Sequence, residues 1–142
     1  MQWLYEGSEE APDVPGLGVL PGRVRLLQGD ASQRLKIPHV GWNALQPPGG
    51  PVEPASPKPR SGNGGPQAFT GRLLAGLSPD AHVYFTHSFA APVTADCVAA
   101  TTHAECFAAA VERGHVFGVQ FHPEKSGDAG LQILRNFLAL CR

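Results

Sequence analysis

The feature that most constrains the fold is a strand–turn–helix unit near the end of the chain. Residues 116–121 form an apolar run typical of a β-strand, and His122, Pro123 and Glu124 follow it directly. Residues 128–141 have the spacing of an amphipathic helix, with Ser126 or Asp128 as its N-cap. The predicted apolar stripe of this helix consists of Leu131, Leu134, Phe137, Leu138 and Cys141. A strand end that carries a histidine and a carboxylate is where α/β enzymes place their chemistry.

The remaining chain is predicted to form mainly short strands. We expect strands at 23–27, 36–45 (interrupted at Gly41), 81–89, 97–102 and 106–111, and short helices at 3–10 and 69–77. Glycines at 16, 18 and 22 superficially resemble a dinucleotide-binding loop, but the third comes one residue late, so we predict turns there. Residues 46–67 are rich in proline and glycine, which predicts a flexible surface loop.

This layout predicts an α/β fold with a mixed sheet and flanking helices. One long helix and two short ones cannot cover both faces of six or seven strands. We therefore expect residues 1–142 to be an incomplete domain, the C-terminal portion of a larger Rossmann-like layer, with 46–67 as its loop.

Composition excludes several classes of protein. The 142 residues are 42% hydrophobic, which suits one domain with a real core, and the net charge of −1 gives no footprint for nucleic acid. No apolar run is long enough to span a membrane, and the N-terminus has no basic stretch of a signal peptide. Three cysteines suggest reduced thiols in the cytoplasm.

The cysteines carry no signal for catalysis or for metal binding. Cys97 and Cys106 lie inside predicted strands and Cys141 lies on the predicted apolar stripe, so each is expected to be a small buried hydrophobe. Cys97, His103 and Cys106 could supply three ligands, but their spacing matches no common zinc pattern. We expect no metal and no cofactor. His39, His82 and His115 carry no signal of their own.

His122 and Glu124 are the candidate catalytic residues. Such a pair is two thirds of a nucleophilic triad, whose third member would be a cysteine or a serine. If a cysteine thiolate attacks a carboxamide, one imidazole can serve as the base for the thiol proton and as the acid for the departing ammonia. A nearby carboxylate fixes the imidazole tautomer and stabilises its cationic form. Taken alone, the spacing favours the simpler interpretation of a histidine that caps a strand end beside an exposed glutamate.

The segment Gly-Val-Gln-Phe-His-Pro-Glu-Lys-Ser at 118–126 resembles the C-terminal signature of class I (triad) glutamine amidotransferases. The segments Pro-His-Val-Gly-Trp-Asn at 38–43 and Tyr-Phe-Thr-His-Ser-Phe at 84–89 resemble internal signatures of the glutaminase subunits of imidazole glycerol phosphate synthase, from histidine biosynthesis. Met1-Gln2 followed by Ser8-Glu9-Glu10 is similar to the stretch just after that family's nucleophile. Outside 46–67, the resemblance covers the chain.

The resemblance implies roles for particular residues. Glutamine would be the substrate, contacted by Gln2, by Glu10 and by the backbone at Ser88 and Phe89. A cyclase subunit would be the partner in a heterodimer, with no nucleic acid or membrane involved. The residues implied to face that partner are Pro38, His39, Trp42, Asn43, Tyr84, His87 and Lys125. The family's nucleophilic cysteine would belong three residues before Met1.

Three hypotheses about function follow from these observations. The chain is the C-terminal part of a glutaminase subunit that supplies ammonia to the cyclase, and is inactive by itself. Alternatively, it is a non-catalytic module or paralogue that still docks on a cyclase or another partner. A third possibility is a start codon assigned to an internal methionine, in which case the product is longer. Amidotransferases of other pathways share the His-Pro-Glu block but lack the signature at 38–43.

Overall fold

A computed structural model of the chain describes residues 1–29, 32, 35–49 and 68–142. Strands predominate, and one α-helix, α1 (Gly127–Leu140), lies near the C-terminus of the described chain. Single turns of 3₁₀ helix occur at Gln2–Leu4, Arg72–Leu74 and Pro123–Lys125. The strands are β1 (Gly7–Ser8), β2 (Ala11–Pro15), β3 (Arg23–Leu26), β4 (His39–Ala44), β5 (His82–His87), β6 (Phe89–Ala90), β7 (Cys97–His103), β8 (Glu105–Arg113) and β9 (Val116–Val119).

Within the described residues, the strands form three hydrogen-bonded groups. One has the order β2-β1-β3-β6, in which β1 and β3 are parallel and the other pairs are antiparallel. The strands β4 and β5 form an antiparallel pair, and β7-β8-β9 form an antiparallel meander. A bridge between Gln46 and Ala100, with hydrogen bonds of 2.8 Å in both directions, joins the chain after β4 to β7. The predicted α/β class with strands of mixed direction is confirmed.

The core lies on both sides of β8. Residues 107–111 of this strand are all buried, with Phe107, Ala109 and Ala110 in one apolar cluster and Ala108 and Val111 in the other. Alanine side chains are short, so they allow neighbouring elements to approach the strand closely. The first cluster also contains Phe85, Phe121 and Ile133, which places the segment after β9 and the helix α1 on this side. Phe121, the residue directly before His122, is therefore packed into the core.

The helix predicted at 3–10 is wrong. After the 3₁₀ turn, the chain continues into β1 and β2, because its backbone groups bond to distant residues rather than within a helix. The N–H of Glu6 donates to the carbonyl of Gly22 at 3.0 Å, and the carbonyl of Leu4 accepts from the N–H of Leu20 at 2.8 Å. Residues 16–22 contain no helix or strand, as predicted for turns.

Most of the predicted strands are confirmed, with small differences in their limits. In β5 the side chains of Val83, Phe85 and His87 alternate into the interior, as predicted. The strand β4 continues through Gly41, which was expected to interrupt it, because this glycine adopts a φ of 134° that L-residues avoid. The helix predicted at 69–77 is reduced to the 3₁₀ turn Arg72–Leu74, and residues 50–67 of the predicted loop lie outside the described residues.

The helix α1 is confirmed, but a different face of it is buried. Gly130 and Ile133 are its buried residues. A Cβ atom at Gly130 would lie 1.8 Å from the carbonyl oxygen of Pro123, so only glycine permits this close approach. The members of the predicted stripe lie outside: Leu131, Leu134, Phe137 and Leu138 are 38–63% exposed and Cys141 is exposed. The periodicity of apolar residues predicted where the helix lies, but not which of its faces is buried against the core.

Candidate functional site

The loop after β9 presents His122 and Glu124 together. His122 Nδ1 lies 2.8 Å from Glu124 Oε1, and a carboxylate can only accept, so Nδ1 carries the proton. In the neutral imidazole, Nε2 then carries the lone pair, on the far side of the ring from Glu124. The pKa of the Glu124 carboxyl is lowered by its own backbone N–H and by the His122 side chain, which keeps it ionised as an acceptor. The arrangement can therefore take up a proton at Nε2 while the carboxylate holds the ring.

The backbone of this loop is fixed by β5 and by a buried serine. The His122 N–H donates to the Tyr84 carbonyl at 2.9 Å. Ser126, only 1% exposed, donates its hydroxyl to the His122 carbonyl at 2.6 Å and accepts from the Tyr84 N–H at 3.0 Å. Ser126 is the helix N-cap, as one of the two predicted options, but its hydroxyl makes no cap hydrogen bond. Its role in holding the loop was missed, because its bond to Tyr84 spans 42 residues of sequence.

The structure brings together two of the four predicted substrate-binding residues. The Gln2 amide Nε2 donates to the Phe89 carbonyl at 2.8 Å and also lies 3.1 Å from Oε1 of Gln120. The Ser88 carbonyl accepts from the Leu27 N–H at 2.9 Å, which joins this backbone to the end of β3. Glu10 is exposed in the turn between β1 and β2, and its carboxylate makes no hydrogen bond within the described residues. Gln120 lies within the 118–126 signature, but the sequence did not indicate that it is a neighbour of Gln2, 118 residues away.

The seven predicted partner-facing residues divide between two faces of the β4–β5 pair. Trp42 and Tyr84 are cross-strand neighbours with ring centroids 6.1 Å apart, and Lys125 Nζ lies 5.8 Å from the centre of the Tyr84 ring. Trp42 is 57% exposed, and Lys125 and Pro38 are exposed as well. We call Trp42, Tyr84 and Lys125 the aromatic–lysine surface.

His39, His87 and Asn43 lie on the inner face of the β4–β5 pair and make contacts within the chain. His39 and His87 are 3% and 8% exposed, so their side chains lie in the interior rather than on a surface. The side chain of Asn43 donates to the Thr102 carbonyl at 2.9 Å. Strand geometry explains the division, because successive side chains point to opposite faces. A role for His39, His87 and Asn43 in contacting a partner stays a prediction.

His39 lies in a cluster of three histidines that the sequence did not indicate. His39 Nδ1 lies 3.0 Å from His87 Nε2, and the His39 ring stacks on His103 with centroids 4.1 Å apart. Burial, followed by the neighbouring His103 and His87, lowers the pKa of His39 to about 3. Burial also lowers the pKa of His87. Both rings are therefore neutral near pH 7.

Two of the three cysteines, which were all predicted to be buried, are exposed. Cys97 is buried, as predicted, with its thiol directed at the Ala99 carbonyl, and burial raises the pKa of this thiol to about 11. Cys106 and Cys141 are exposed, so the prediction of burial is wrong for both. Cys106 lies at the beginning of β8, before its buried stretch, and Cys141 lies directly after α1. No cysteine side chain forms a hydrogen bond with His122 in the described part of the chain.

Two further findings concern metals and membranes. Among the described residues, no group of three or more His, Cys, Asp or Glu side chains is arranged to hold a metal ion. Within residues 1–29, 32, 35–49 and 68–142, the helices are too short or too polar to cross a membrane.

Comparisons with known proteins identify the family to which this fold belongs. The family model described as "Glutamine amidotransferase class-I" matches residues 44–141. The chain therefore belongs to the class I glutamine amidotransferase family.

The similar curated proteins point to one branch of that family. The chain is 44% identical over 140 residues to "Imidazole glycerol phosphate synthase subunit HisH" of Xanthomonas euvesicatoria pv. vesicatoria, covering 99% of this chain and 58% of that protein. It is 45% identical to the protein of the same name from Xylella fastidiosa, again over 99% of this chain and 58% of the relative. The Deinococcus radiodurans protein of this name is 44% identical over 96% of this chain and 54% of its own length. The chain thus spans less than two thirds of each relative.

Proposed function

We propose that the chain acts in the glutaminase subunit of imidazole glycerol phosphate synthase, where it helps to hydrolyse glutamine and supply ammonia to a cyclase subunit. The observation that carries this proposal is the 2.8 Å contact between His122 Nδ1 and Glu124 Oε1 in a class I amidotransferase fold. The names of the relatives, and their similarity over 96–99% of this chain, support this particular pathway.

In the proposed reaction, a cysteine thiolate attacks the carboxamide carbon of glutamine. His122 accepts the thiol proton at Nε2 and transfers it to the departing ammonia, leaving a thioester that water hydrolyses to glutamate. Glu124 stabilises the imidazolium that forms between these steps. None of Cys97, Cys106 and Cys141 is hydrogen-bonded to His122 among the described residues, so we assign the nucleophile to the position that the family resemblance gives, three residues before Met1.

We assign glutamine binding to the region around Gln2 and Phe89. Backbone N–H groups there suit an α-carboxylate, and the exposed carboxylate of Glu10 suits an α-ammonium group. The contact between Gln2 and the Phe89 carbonyl, 2.8 Å long, supports a common site for two of these residues.

We assign the contact with the cyclase to the aromatic–lysine surface. An exposed tryptophan beside a tyrosine has the composition of an interface hot spot, and the lysine adds a positive charge at its side. Pro38 is exposed near the start of β4 and would extend this contact, whereas His39 and His87 would support it from inside. The resulting assembly is a heterodimer, and the sparse unpaired cysteines favour a location in the cytoplasm.

A second candidate function is docking on a partner without catalysis. The observation that favours it is the same aromatic–lysine surface, with Trp42 57% exposed, since docking needs no nucleophile. The two candidates differ in their dependence on His122. Catalysis requires this residue, whereas docking does not.

The proposed function can be tested first by sequencing the DNA upstream of the Met1 codon. An in-frame Gly-x-Cys-x-Gly directly before Met1, with its cysteine three residues before Met1, is the expected result. Stop codons or unrelated sequence there would contradict the catalytic proposal. The encoded protein is then assayed for glutamate release with the cyclase and its ligand present. His122→Gln should lower kcat by at least about 10³-fold, whereas His115→Gln, at an exposed turn, should have no effect.

Docking is tested separately with the same proteins. Trp42→Ala should weaken binding to the cyclase by roughly tenfold or more, and Val93→Ala, also at an exposed apolar position, should not. Retained binding but no hydrolysis in the wild-type protein would favour the docking function. Unchanged binding by Trp42→Ala would refute the assigned surface.

A further inference from the structure

The proposed function gives the cluster of His39, His87 and His103 no part in glutamine binding. His39 and His87 face each other across β4 and β5, and their rings are joined by the 3.0 Å contact between His39 Nδ1 and His87 Nε2. His87 Nδ1 lies 2.9 Å from the Phe89 carbonyl. His103 stacks on His39, and its Nε2 lies 2.9 Å from the Lys36 carbonyl.

The carbonyl groups fix the direction of each hydrogen bond. A carbonyl oxygen can only accept, so His87 Nδ1 must carry a proton and donate to Phe89. Because the pKa of buried His87 is lowered, its ring is neutral and its Nε2 is a lone-pair acceptor. His39 Nδ1 must then be the donor in the contact with His87. Both rings are thus locked in the tautomer with the proton on Nδ1.

This chain of bonds ends on the backbone to which we assign glutamine binding. The Phe89 carbonyl accepts from His87 on one side and from Gln2 on the other, so both of its lone pairs are used. The preceding carbonyl, of Ser88, is held by the N–H of Leu27 at 2.9 Å. Since peptide units are planar and trans, holding these two carbonyls also fixes the direction of the Phe89 N–H, which points away from β3.

We propose that His87 is a positioning residue for glutamine binding, and that His39 fixes its tautomer so that His87 donates to the Phe89 carbonyl. This inference rests on the proposed function, because it assigns the α-carboxylate of glutamine to the Ser88–Phe89 backbone. It adds two residues that do not touch the substrate but hold the backbone that does. The stacked ring of His103 keeps His39 in place.

The hydrogen-bond directions are tested without any activity. In the 142-residue chain with ¹⁵N-labelled histidine, long-range ¹H–¹⁵N NMR spectra distinguish protonated from lone-pair ring nitrogens. We expect the proton on Nδ1 of both His39 and His87, with a scalar coupling across the bond between the two rings. A proton on Nε2 of His87 would overturn the inference.

The role in binding is tested by titrating the chain with L-glutamine and following the Ser88 and Phe89 amides. His87→Phe keeps an aromatic ring but cannot donate, and should weaken glutamine binding about tenfold. His87→Asn offers an amide N–H at the place of Nδ1, and should restore binding to within about threefold of wild type. His115→Phe is the control, since His115 is exposed in a turn.

The outcomes separate the two claims. Wild-type binding that His87→Phe leaves unchanged would refute the positioning role while supporting glutamine binding. A wild-type chain with no glutamine-dependent shifts would refute the assigned substrate site, and the positioning role with it. If His87→Phe does not fold, His39→Phe serves instead, and it should weaken binding and allow His87 to change tautomer.

Discussion

The backbone N–H of His122 donates to the carbonyl of Tyr84 at 2.9 Å, which ties the loop after β9 to the middle of β5. Ser126 joins the same two residues a second time through its hydroxyl. The backbone of His122, whose imidazole we propose as acid and base, is thus hydrogen-bonded to that of Tyr84, whose ring we assign to docking. A displacement of either residue must be accommodated by the other.

Ser126→Ala should test how much these hydrogen bonds contribute to the stability of the fold. The substitution removes the acceptor for the Tyr84 N–H and the donor to the His122 carbonyl in a site that is 1% exposed. We expect the free energy of unfolding to fall by about 1–3 kcal/mol, because buried polar groups lose their partners. Urea unfolding measures the change, with Ser78→Ala at an exposed turn as the matched control. Equal stability of the two variants would contradict the prediction.

The two sides of α1 should respond differently to truncation. Ile133 is 2% exposed and belongs to the main core cluster, whereas Leu138 is 63% exposed. In this chain, Ile133→Ala should lower the free energy of unfolding by about 2–5 kcal/mol, and Leu138→Ala should change it by less than about 1 kcal/mol. Thermal or urea unfolding compares the variants. A larger effect at Leu138 would mean that the stripe predicted from periodicity is the packed one.

Stability should fall as the pH drops below the ordinary pKa of histidine. In the folded chain, burial and then its neighbours His103 and His87 lower the pKa of His39 to about 3, so the unfolded chain binds the proton more readily. Stability from this residue is complete above about pH 6.5 and is lost toward about pH 3, with a slope near 1.4 kcal/mol per pH unit. Urea unfolding between about pH 7 and about pH 5 measures this slope.

A phenylalanine variant provides the comparison for this pH dependence. His39→Phe should lose the part of the slope that belongs to His39 and keep the contribution of His87, whose pKa is also lowered by burial. His115→Phe, at an exposed position, should keep the wild-type slope. An unchanged slope in His39→Phe would show that His39 is not held neutral by burial.

The three cysteines should react with a thiol reagent in two classes. Cys106 and Cys141 are exposed, whereas Cys97 is buried and its thiol pKa is raised to about 11 by burial. Because the thiolate is the reactive form, Cys97 should modify only on unfolding. Mass spectrometry after brief alkylation, with and without urea, identifies the modified residues. Early modification of Cys97 would contradict its placement in the core.

The sequence predicted those elements whose pattern is local. Val83, Phe85 and His87 alternate along β5 and point inward as the pattern requires. The strand end that carries His122 and Glu124 was found in the same way, because these residues are only two positions apart. Here the local spacing and the three-dimensional contact coincide.

The features that were missed depend on partners far along the chain. The helix predicted at 3–10 is replaced by strands, since Glu6 bonds to Gly22 rather than within its own turn. His39 carried no signal because its partner, His87, lies 48 residues away. For α1 the buried side is decided by the contact between Gly130 and Pro123, which no period of apolar residues can indicate.

The bridge between Gln46 and Ala100 makes the β4–β5 pair and the β7-β8-β9 meander a single cooperative unit. Its two hydrogen bonds are reinforced by those from Thr101 to the Ala44 carbonyl and from Asn43 to the Thr102 carbonyl. The strand that carries Trp42 therefore cannot open by itself. Those of its amide protons that are hydrogen-bonded to β5 should exchange with deuterated solvent at the same slow rate as the hydrogen-bonded amides of β7, as parts of one unfolding event.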